Sequence, residues 1–202
     1  MCLGVRVAVA RERMGRFLWE EHPVKADIVI PVQDSGTGAA SGFAEASGLP
    51  LKPMALFKSH YVARTFIDPC NASRIRGNRL KFNPIQEFVE GKRVVVVDDS
   101  IVRANVIKAI ARALRSAGAI EVHGRISSPP CICPCYYGID TYRVVDELIA
   151  RRLGGDVEAI RQETGLDSLG YLGVRNLRRA VSETHGFCDA CFTGNYFTPT
   201  EK

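Results

Sequence analysis

The sequence has no run of apolar residues long enough to cross a bilayer, and its N-terminus lacks the features of a secretory signal. It also contains no internal repeats or low-complexity segments, which argues against solenoid and fibrous architectures. We therefore predict a globular protein of the cytoplasm that has no membrane partner.

A clustered basic face is also missing. The 202 residues carry a formal net charge of +5, but the basic side chains are scattered along the chain. This scatter predicts no nucleic-acid partner, whereas mild basicity suits a phosphorylated substrate. Seven cysteines, an odd number without secretory context, argue against a disulfide framework and for thiolate ligands or core residues.

The most informative stretch is a run of four valines followed by two aspartates. Residues 94–97 predict a strand buried on both faces within a parallel sheet. Asp98 and Asp99 would then face the crevice at the carboxyl end of that strand. Residues 106–117 have helical spacing, so the loop 100–105 lies at a helix N-terminus, which favours anions. The stretch predicts a sugar-phosphate site; the alternative is a buried strand that ends in a solvated turn.

Other segments predict the same architecture. A strand at 26–32, a polar turn and a helix at 39–47 repeat the strand–turn–helix pattern, so two such turns would border one crevice. The remaining predicted elements are a helix at 5–19, a strand at 121–126, short helical or extended pieces at 141–174 and a helix at 174–181. The fold class is therefore α/β, with a mostly parallel sheet flanked by helices.

The residues VVVVDDSIVR at 94–103 resemble the phosphoribosyl diphosphate (PRPP) motif of type I phosphoribosyltransferases. The residue pattern is similar to that of the glutamine PRPP amidotransferase family, and further matches follow in the order in which the family has them. These are PVQDSG at 31–36, KSHYVARTFI at 58–67, SSPP at 127–130, PCYYGID at 134–140 and CDACFTG at 188–194. The resemblance implies a type I phosphoribosyltransferase-like fold and the formation of 5-phosphoribosylamine from PRPP and ammonia, the first step of purine biosynthesis. The alternative is a non-catalytic PRPP-binding regulator or a degenerate fragment on the same fold.

The resemblance also implies roles for individual residues. The predicted substrate-binding residues are Asp34, Ser35, Asp98, Asp99, Ser100, Arg103 and Asn105, and the predicted magnesium ligands are Ser35, Asp98 and Asp99. Hard oxygen ligands of this kind suit a metal ion that arrives with a diphosphate. The basic, irregular stretch from residue 58 predicts a lid over the substrate, with Lys58, Arg64 and Thr65 as catalytic residues; a mobile surface loop is the alternative.

The cysteines near the C-terminus form a second candidate site. Cys188 and Cys191 are spaced as a CxxC pair, which alone could be redox-active, zinc-binding or without function. In the iron-sulfur branch of the family, the resemblance makes Cys135, Cys188 and Cys191 three ligands of a [4Fe-4S] cluster. The fourth ligand would lie upstream of this chain, or would be Cys131 or Cys133. An incomplete site or a zinc ion is the alternative.

Two features depart from the family. The family usually has Gly-Thr-Thr or Gly-Asn-Thr after the arginine of the motif, but this chain has Ala104, Asn105 and Val106. An added Cβ and a missing hydroxyl should weaken phosphate binding, because one charge-assisted hydrogen bond contributes about 1.5–3 kcal/mol. The N-terminal glutaminase domain of the family is also absent from this sequence.

We therefore expect a phosphoribosyltransferase-like domain at 1–150 and a small, cysteine-containing helical extension at 151–202. The partners that the resemblance implies are PRPP, ammonia, a separate glutaminase chain, further copies of the same chain in a homo-oligomer, and purine nucleotides as feedback inhibitors.

Overall fold

A computed structural model describes residues 4–58, 82–181 and 186–198 of the chain. Its centre is a four-stranded sheet in which every strand is parallel to its neighbours, and helices pack on both faces. The prediction of an α/β fold with a parallel sheet is therefore confirmed. A separate pair of short antiparallel strands lies outside this sheet.

The strands of the parallel sheet follow the order β1-β4-β5-β6, and the antiparallel pair consists of β2 and β3. Their bounds are Ile28–Pro31 for β1, Leu56–Lys58 for β2, Phe82–Pro84 for β3, Arg93–Asp98 for β4, Glu121–Ile126 for β5 and Ser168–Tyr171 for β6. Helix α1 spans Val7–Glu21, α2 Thr37–Ser47, α3 Gln86–Val89, α4 Asn105–Ser116, α5 Ile149–Arg152, α6 Val157–Thr164, α7 Val174–Val181 and α8 Ala190–Thr193. Within the described ranges, 3₁₀ helices span Pro53–Ala55 and Tyr142–Glu147.

The valines of β4 form the centre of the core because successive side chains point to opposite faces of a strand. Val94 and Val96 pack on the face covered by α4, whereas Val95 and Val97 pack on the face covered by α1 and α2. All four are fully buried. The run of β-branched residues thus serves two cores at once, which explains why it shows no alternation with polar residues.

Helices α1 and α2 approach each other closely at two glycines. A Cβ on Gly15 would lie 1.9 Å from the carbonyl oxygen of Ala39, and a Cβ on Gly42 would lie 1.9 Å from that of Glu12. Only glycine fits these positions, so the close contact fixes α2 against α1 and against the β1 edge of the sheet.

The last quarter of the chain shares the central sheet. Strand β6 pairs in parallel with β5, and α7 packs against α1. The segment 151–202, expected as a helical extension, therefore also supplies the fourth strand, and the domain boundary at residue 150 stays a prediction. No helix within the described ranges is long and apolar enough to span a bilayer.

Candidate functional site

Two aspartates lie side by side where β4 ends. Asp98 is the last residue of the strand and is only 6% exposed. Its Oδ1 accepts hydrogen bonds from the backbone N–H of Asp99 at 2.8 Å and from the hydroxyl of Ser35 at 3.4 Å. The Ser100 hydroxyl donates to Asp99 Oδ1 at 3.0 Å. The structure thus brings together four of the predicted site residues.

The Asp98 carboxylate is electrostatically unfavourable in this position. Burial and, to a smaller extent, the negative charge of Asp99 together raise the pKa of Asp98 to about 7. Within the described ranges neither aspartate forms a salt bridge with a lysine or arginine. A pair of carboxylates and a hydroxyl without a cation suits a hard divalent metal ion or the hydroxyl groups of a ribose.

The turn after β1 meets this acidic pair because it packs directly on β4. The backbone N–H of Val32 donates to the carbonyl oxygen of Val97 at 2.8 Å. A Cβ on Gly36 would lie 2.3 Å from that same oxygen, so only glycine allows the approach. The peptide bond between Gln33 and Asp34 is cis. This packing places Ser35 against Asp98 and leaves the Asp34 side chain largely exposed.

One residue of the predicted lid lies within the described ranges. Lys58 ends β2, and its Nζ lies 3.3 Å from Oδ2 of Asp34. This ion pair places a cation beside the β1 turn. Arg64 and Thr65 fall in the stretch 59–81, which is outside the described residues.

The loop after the acidic pair contains a left-handed alanine. Ala104 has φ of 63° and ψ of 0°, and α4 begins at the next residue without a side-chain cap. The left-handed region costs a residue with a Cβ roughly 1–2 kcal/mol, which explains why glycine is usual here in the family that the motif resembles. The first N–H groups of α4 lack intrahelical partners, so Asn105 lies at the positive end of a helix.

Three contacts that the sequence did not predict hold this loop. Arg103 Nε lies 3.1 Å from Glu147 Oε2, and the N–H of Ile149 donates to the carbonyl oxygen of Val102 at 2.9 Å. Ser127 donates both its N–H and its hydroxyl to the carbonyl oxygen of Asp98, at 2.9 and 3.3 Å. These partners are distant in sequence, and no local pattern indicates the pairing.

The cysteines of the second candidate site are arranged differently from the predicted set. The side chains of Cys131 and Cys191 interact with each other, while Cys188 is exposed. The backbone N–H of Cys135 donates to the Thr141 hydroxyl at 2.7 Å. The described part of the chain contains no group of three histidine, cysteine or acidic side chains that could hold a metal ion. Cys135, Cys188 and Cys191 therefore do not form a ready ligand set, and the cluster stays a prediction.

The thiols titrate unequally. The interaction with Cys131 lowers the pKa of Cys191 to about 7, and the same interaction together with burial raises the pKa of Cys131. Burial opposes ionisation of Cys135, but backbone N–H groups near its sulfur outweigh it, so the pKa of Cys135 is lowered.

No protein-family model matches the chain, but similar proteins are found by sequence. The amidophosphoribosyltransferase of Bacillus subtilis is 48% identical over 203 aligned residues, which cover 98% of this chain and 41% of that protein. Amidophosphoribosyltransferase 1, chloroplastic, of Arabidopsis thaliana is 48% identical over 200 residues, which cover 98% of this chain and 35% of that protein.

A solved structure agrees with these relatives. It is described as glutamine PRPP amidotransferase from B. subtilis complexed with ADP and GMP. Its TM-score with this chain is 0.85 at 47% sequence identity, and the match covers 97% of this chain and 43% of that one.

A parallel α/β sheet with acidic side chains and two helix N-termini at the ends of adjacent strands is typical of proteins that bind sugar phosphates. The comparisons show that the chain belongs to the amidophosphoribosyltransferase family, as the motifs predicted. It spans about two fifths of the length of the relatives that it matches.

Replacing Asp98 with asparagine should change how stability depends on pH when divalent cations are absent. Between about pH 4 and pH 7, the folded wild type keeps a proton on Asp98 that the unfolded chain has already lost. The unfolding free energy of the wild type should therefore fall across this window. Denaturation in chelator should show that the unfolding free energy of Asp98→Asn rises by on the order of 4 kcal/mol relative to that of wild type between pH 4 and pH 8.

Asp27→Asn is the control with the opposite sign. Hydrogen bonds from Arg93 lower the pKa of Asp27 to about 2, so its stabilising effect is present above pH 4 and is lost as the pH falls towards 2. A pH-independent difference between Asp98→Asn and wild type would contradict the burial argument.

Proposed function

We propose that this chain is the phosphoribosyltransferase part of an amidophosphoribosyltransferase. It displaces diphosphate from C1 of PRPP with ammonia and forms 5-phosphoribosylamine, the first step of purine biosynthesis. The observation that supports this most strongly is the acidic pair of buried Asp98 and partly exposed Asp99, which lies shortly before the N-terminus of α4. Membership of the family supports the same reaction.

The acidic pair binds the ribose in this proposal. Asp98 and Asp99 accept hydrogen bonds from the sugar hydroxyl groups, or they would coordinate a magnesium ion that Ser35 would also help to hold. The donor set fits such an ion because it consists of two carboxylates and a hydroxyl without a cation among the described residues. When bound, magnesium neutralises part of the charge on the diphosphate leaving group.

The loop before α4 binds the 5-phosphate. The free N–H groups at the start of α4 and the side chains of Ser100 and Asn105 offer hydrogen bonds, and the helix dipole favours a negative charge there. Arg103, which pairs with Glu147, adds positive charge at the edge of the loop. These groups position the substrate, and the reaction needs no nucleophilic side chain.

The diphosphate lies beside the turn of Asp34 and Ser35 in this proposal. Lys58 already lies next to that turn through its ion pair with Asp34. A cation at this position stabilises the charge that develops on the leaving group. Together with Arg64 and Thr65, Lys58 would also exclude water that could hydrolyse the sugar.

The partners follow from the same family. We propose that the ammonia derives from glutamine through a glutaminase activity, and that the chain functions in a homo-oligomer. The B. subtilis relative was solved with ADP and GMP, so purine nucleotides are the proposed feedback inhibitors. The phosphate groups of both nucleotides are anions, like the proposed ligand of the α4 N-terminus.

A [4Fe-4S] cluster on Cys135, Cys188 and Cys191 remains a separate proposal that rests on the resemblance alone. The described cysteines do not form a group of three ligands, so no step of the reaction is derived through a cluster. An absorption spectrum of anaerobically purified protein tests it. Broad absorption near 400 nm, lost in Cys135→Ser, is expected from thiolate ligation, whereas a colourless protein with stoichiometric zinc would contradict it.

The activity itself can be tested with magnesium, PRPP and ammonium salts by measuring diphosphate release. Replacing Asp99 with asparagine should lower kcat/KM roughly 100-fold, because one carboxylate aimed at the sugar is lost. Asp146→Asn, which changes an exposed carboxylate outside the site, is the matched control and should keep wild-type activity. Wild-type protein without diphosphate release above background would overturn the proposed reaction. PRPP binding without turnover would indicate a regulator instead.

Replacing Ala104 with glycine should lower the KM for PRPP about tenfold, which corresponds to about 1.4 kcal/mol. The substitution removes a Cβ from a left-handed residue and lets the phosphate approach the backbone. The matched control is Ala109→Gly, the same change inside α4, which should lower stability by about 1 kcal/mol without changing KM. An unchanged KM in Ala104→Gly would show that the alanine does not limit phosphate binding.

A further inference from the structure

The segment 142–149 lies against the loop that precedes α4. It runs through a 3₁₀ helix into the first residue of α5. The N–H of Ile149 donates to the carbonyl oxygen of Val102 at 2.9 Å, and Oε2 of Glu147 lies 3.1 Å from Nε of Arg103. Two neighbouring residues of the loop are thus held by two residues of one segment.

The segment is itself firmly placed. The two residues that follow Glu147 are fully buried. Behind them, Arg152 of α5 and Lys108 in the first turn of α4 both donate to Oε1 of Glu163 in α6, at 2.5 and 2.6 Å. These contacts join α5, α6 and the start of α4, so the carboxylate of Glu147 approaches the loop from a fixed base.

The loop needs contacts from outside because it contains a strained residue. Ala104 lies in the left-handed region, which disfavours a residue with a Cβ, and α4 begins next to it without a side-chain cap. A backbone conformation of this kind persists where the surrounding structure fixes it. The contacts from Glu147 and Ile149 act on the two residues directly before Ala104.

We propose that Glu147 is a positioning residue for phosphate binding. Its ion pair with Arg103 keeps the loop 100–105 in the conformation that binds the 5-phosphate before the substrate arrives. Such restraint raises affinity because less conformational freedom is lost on binding. Glu147 itself touches neither the substrate nor a metal ion. The inference rests on the proposed function, since it assigns a role at the same phosphate site.

The direction of the effect separates this role from two others. A carboxylate near a phosphate repels it, so a direct electrostatic role predicts tighter binding when the charge of Glu147 is removed. A role in stability alone predicts a lower melting temperature and an unchanged affinity. Positioning predicts weaker binding by a folded protein. Because the Glu147 side chain is 54% exposed, Glu147→Gln should fold as the wild type does.

The first measurement is a calorimetric titration of wild type, Glu147→Gln and Asp146→Asn with PRPP and magnesium. Glu147→Gln should raise the Kd about fivefold, because the restraint on Arg103 is weakened. Asp146→Asn is the matched control, since it removes an exposed carboxylate from the adjacent residue of the same 3₁₀ helix and should keep the wild-type Kd. In the ammonium-dependent assay, the KM of Glu147→Gln should rise by the same factor while kcat stays within about twofold of wild type.

A double-mutant cycle tests whether Glu147 acts through Arg103. Arg103→Gln should weaken PRPP binding by itself, and the further change Glu147→Gln should then leave the Kd unaltered. Additive losses in the double variant would overturn the proposed action through Arg103.

Hydrogen exchange without ligand tests the restraint independently of the reaction. The N–H of Ile149, which donates to Val102, should exchange faster in Glu147→Gln than in wild type and Asp146→Asn. The N–H of Val95 in β4 should exchange equally in all three proteins. Equal exchange at Ile149 would overturn the proposal.

The binding results also separate this inference from the function on which it rests. If wild type binds PRPP and Glu147→Gln binds it equally or more tightly, the positioning role alone is overturned. If a folded wild type, as established by circular dichroism, does not bind PRPP, the proposed function is overturned together with this role.

Discussion

The parallel pairing of β1 with β4 determines which side chains meet in the crevice. Pro31 lies opposite Val97, so both strands end at the same level and their following turns lie side by side. The N–H of Val32 donates to the carbonyl oxygen of Val97, and Gly36 packs against the same oxygen because it has no side chain. A shift of one residue in this register would move the turn after β1 along β4 and separate Ser35 from Asp98.

The same pairing places the Asp98 carboxylate where water cannot fully solvate it. In an isolated protein this is a cost, because a buried charge beside another negative charge is unfavourable. The cost becomes useful if a cation or a hydroxyl-rich ligand supplies the missing partner, since the site then gains more from binding than an exposed pair of aspartates would. In the proposed function, the β4 end would exchange stability for affinity, as binding sites often do.

Distant parts of the chain hold the loops of the site. Ser127 fixes the carbonyl of Asp98, Ile149 fixes that of Val102, and Glu147 pairs with Arg103. The strained Ala104 keeps its left-handed conformation between these contacts and the first turn of α4. The loop after β5 also contacts α8 through the carbonyl oxygen of Cys191, so the C-terminal segment lies within one short loop of the acidic pair.

The sequence by itself determined the local elements and the family. Strand β5 and helix α7 have the predicted bounds, because the residue patterns that favour a strand or a helix are local properties. The tertiary structure alone decided that β6 joins the central sheet, that Lys58 pairs with Asp34, and that the loop after β5 donates hydrogen bonds to the carbonyl oxygen of Cys191. These contacts join residues that are far apart in the chain, and their geometry depends on packing, which no local pattern encodes.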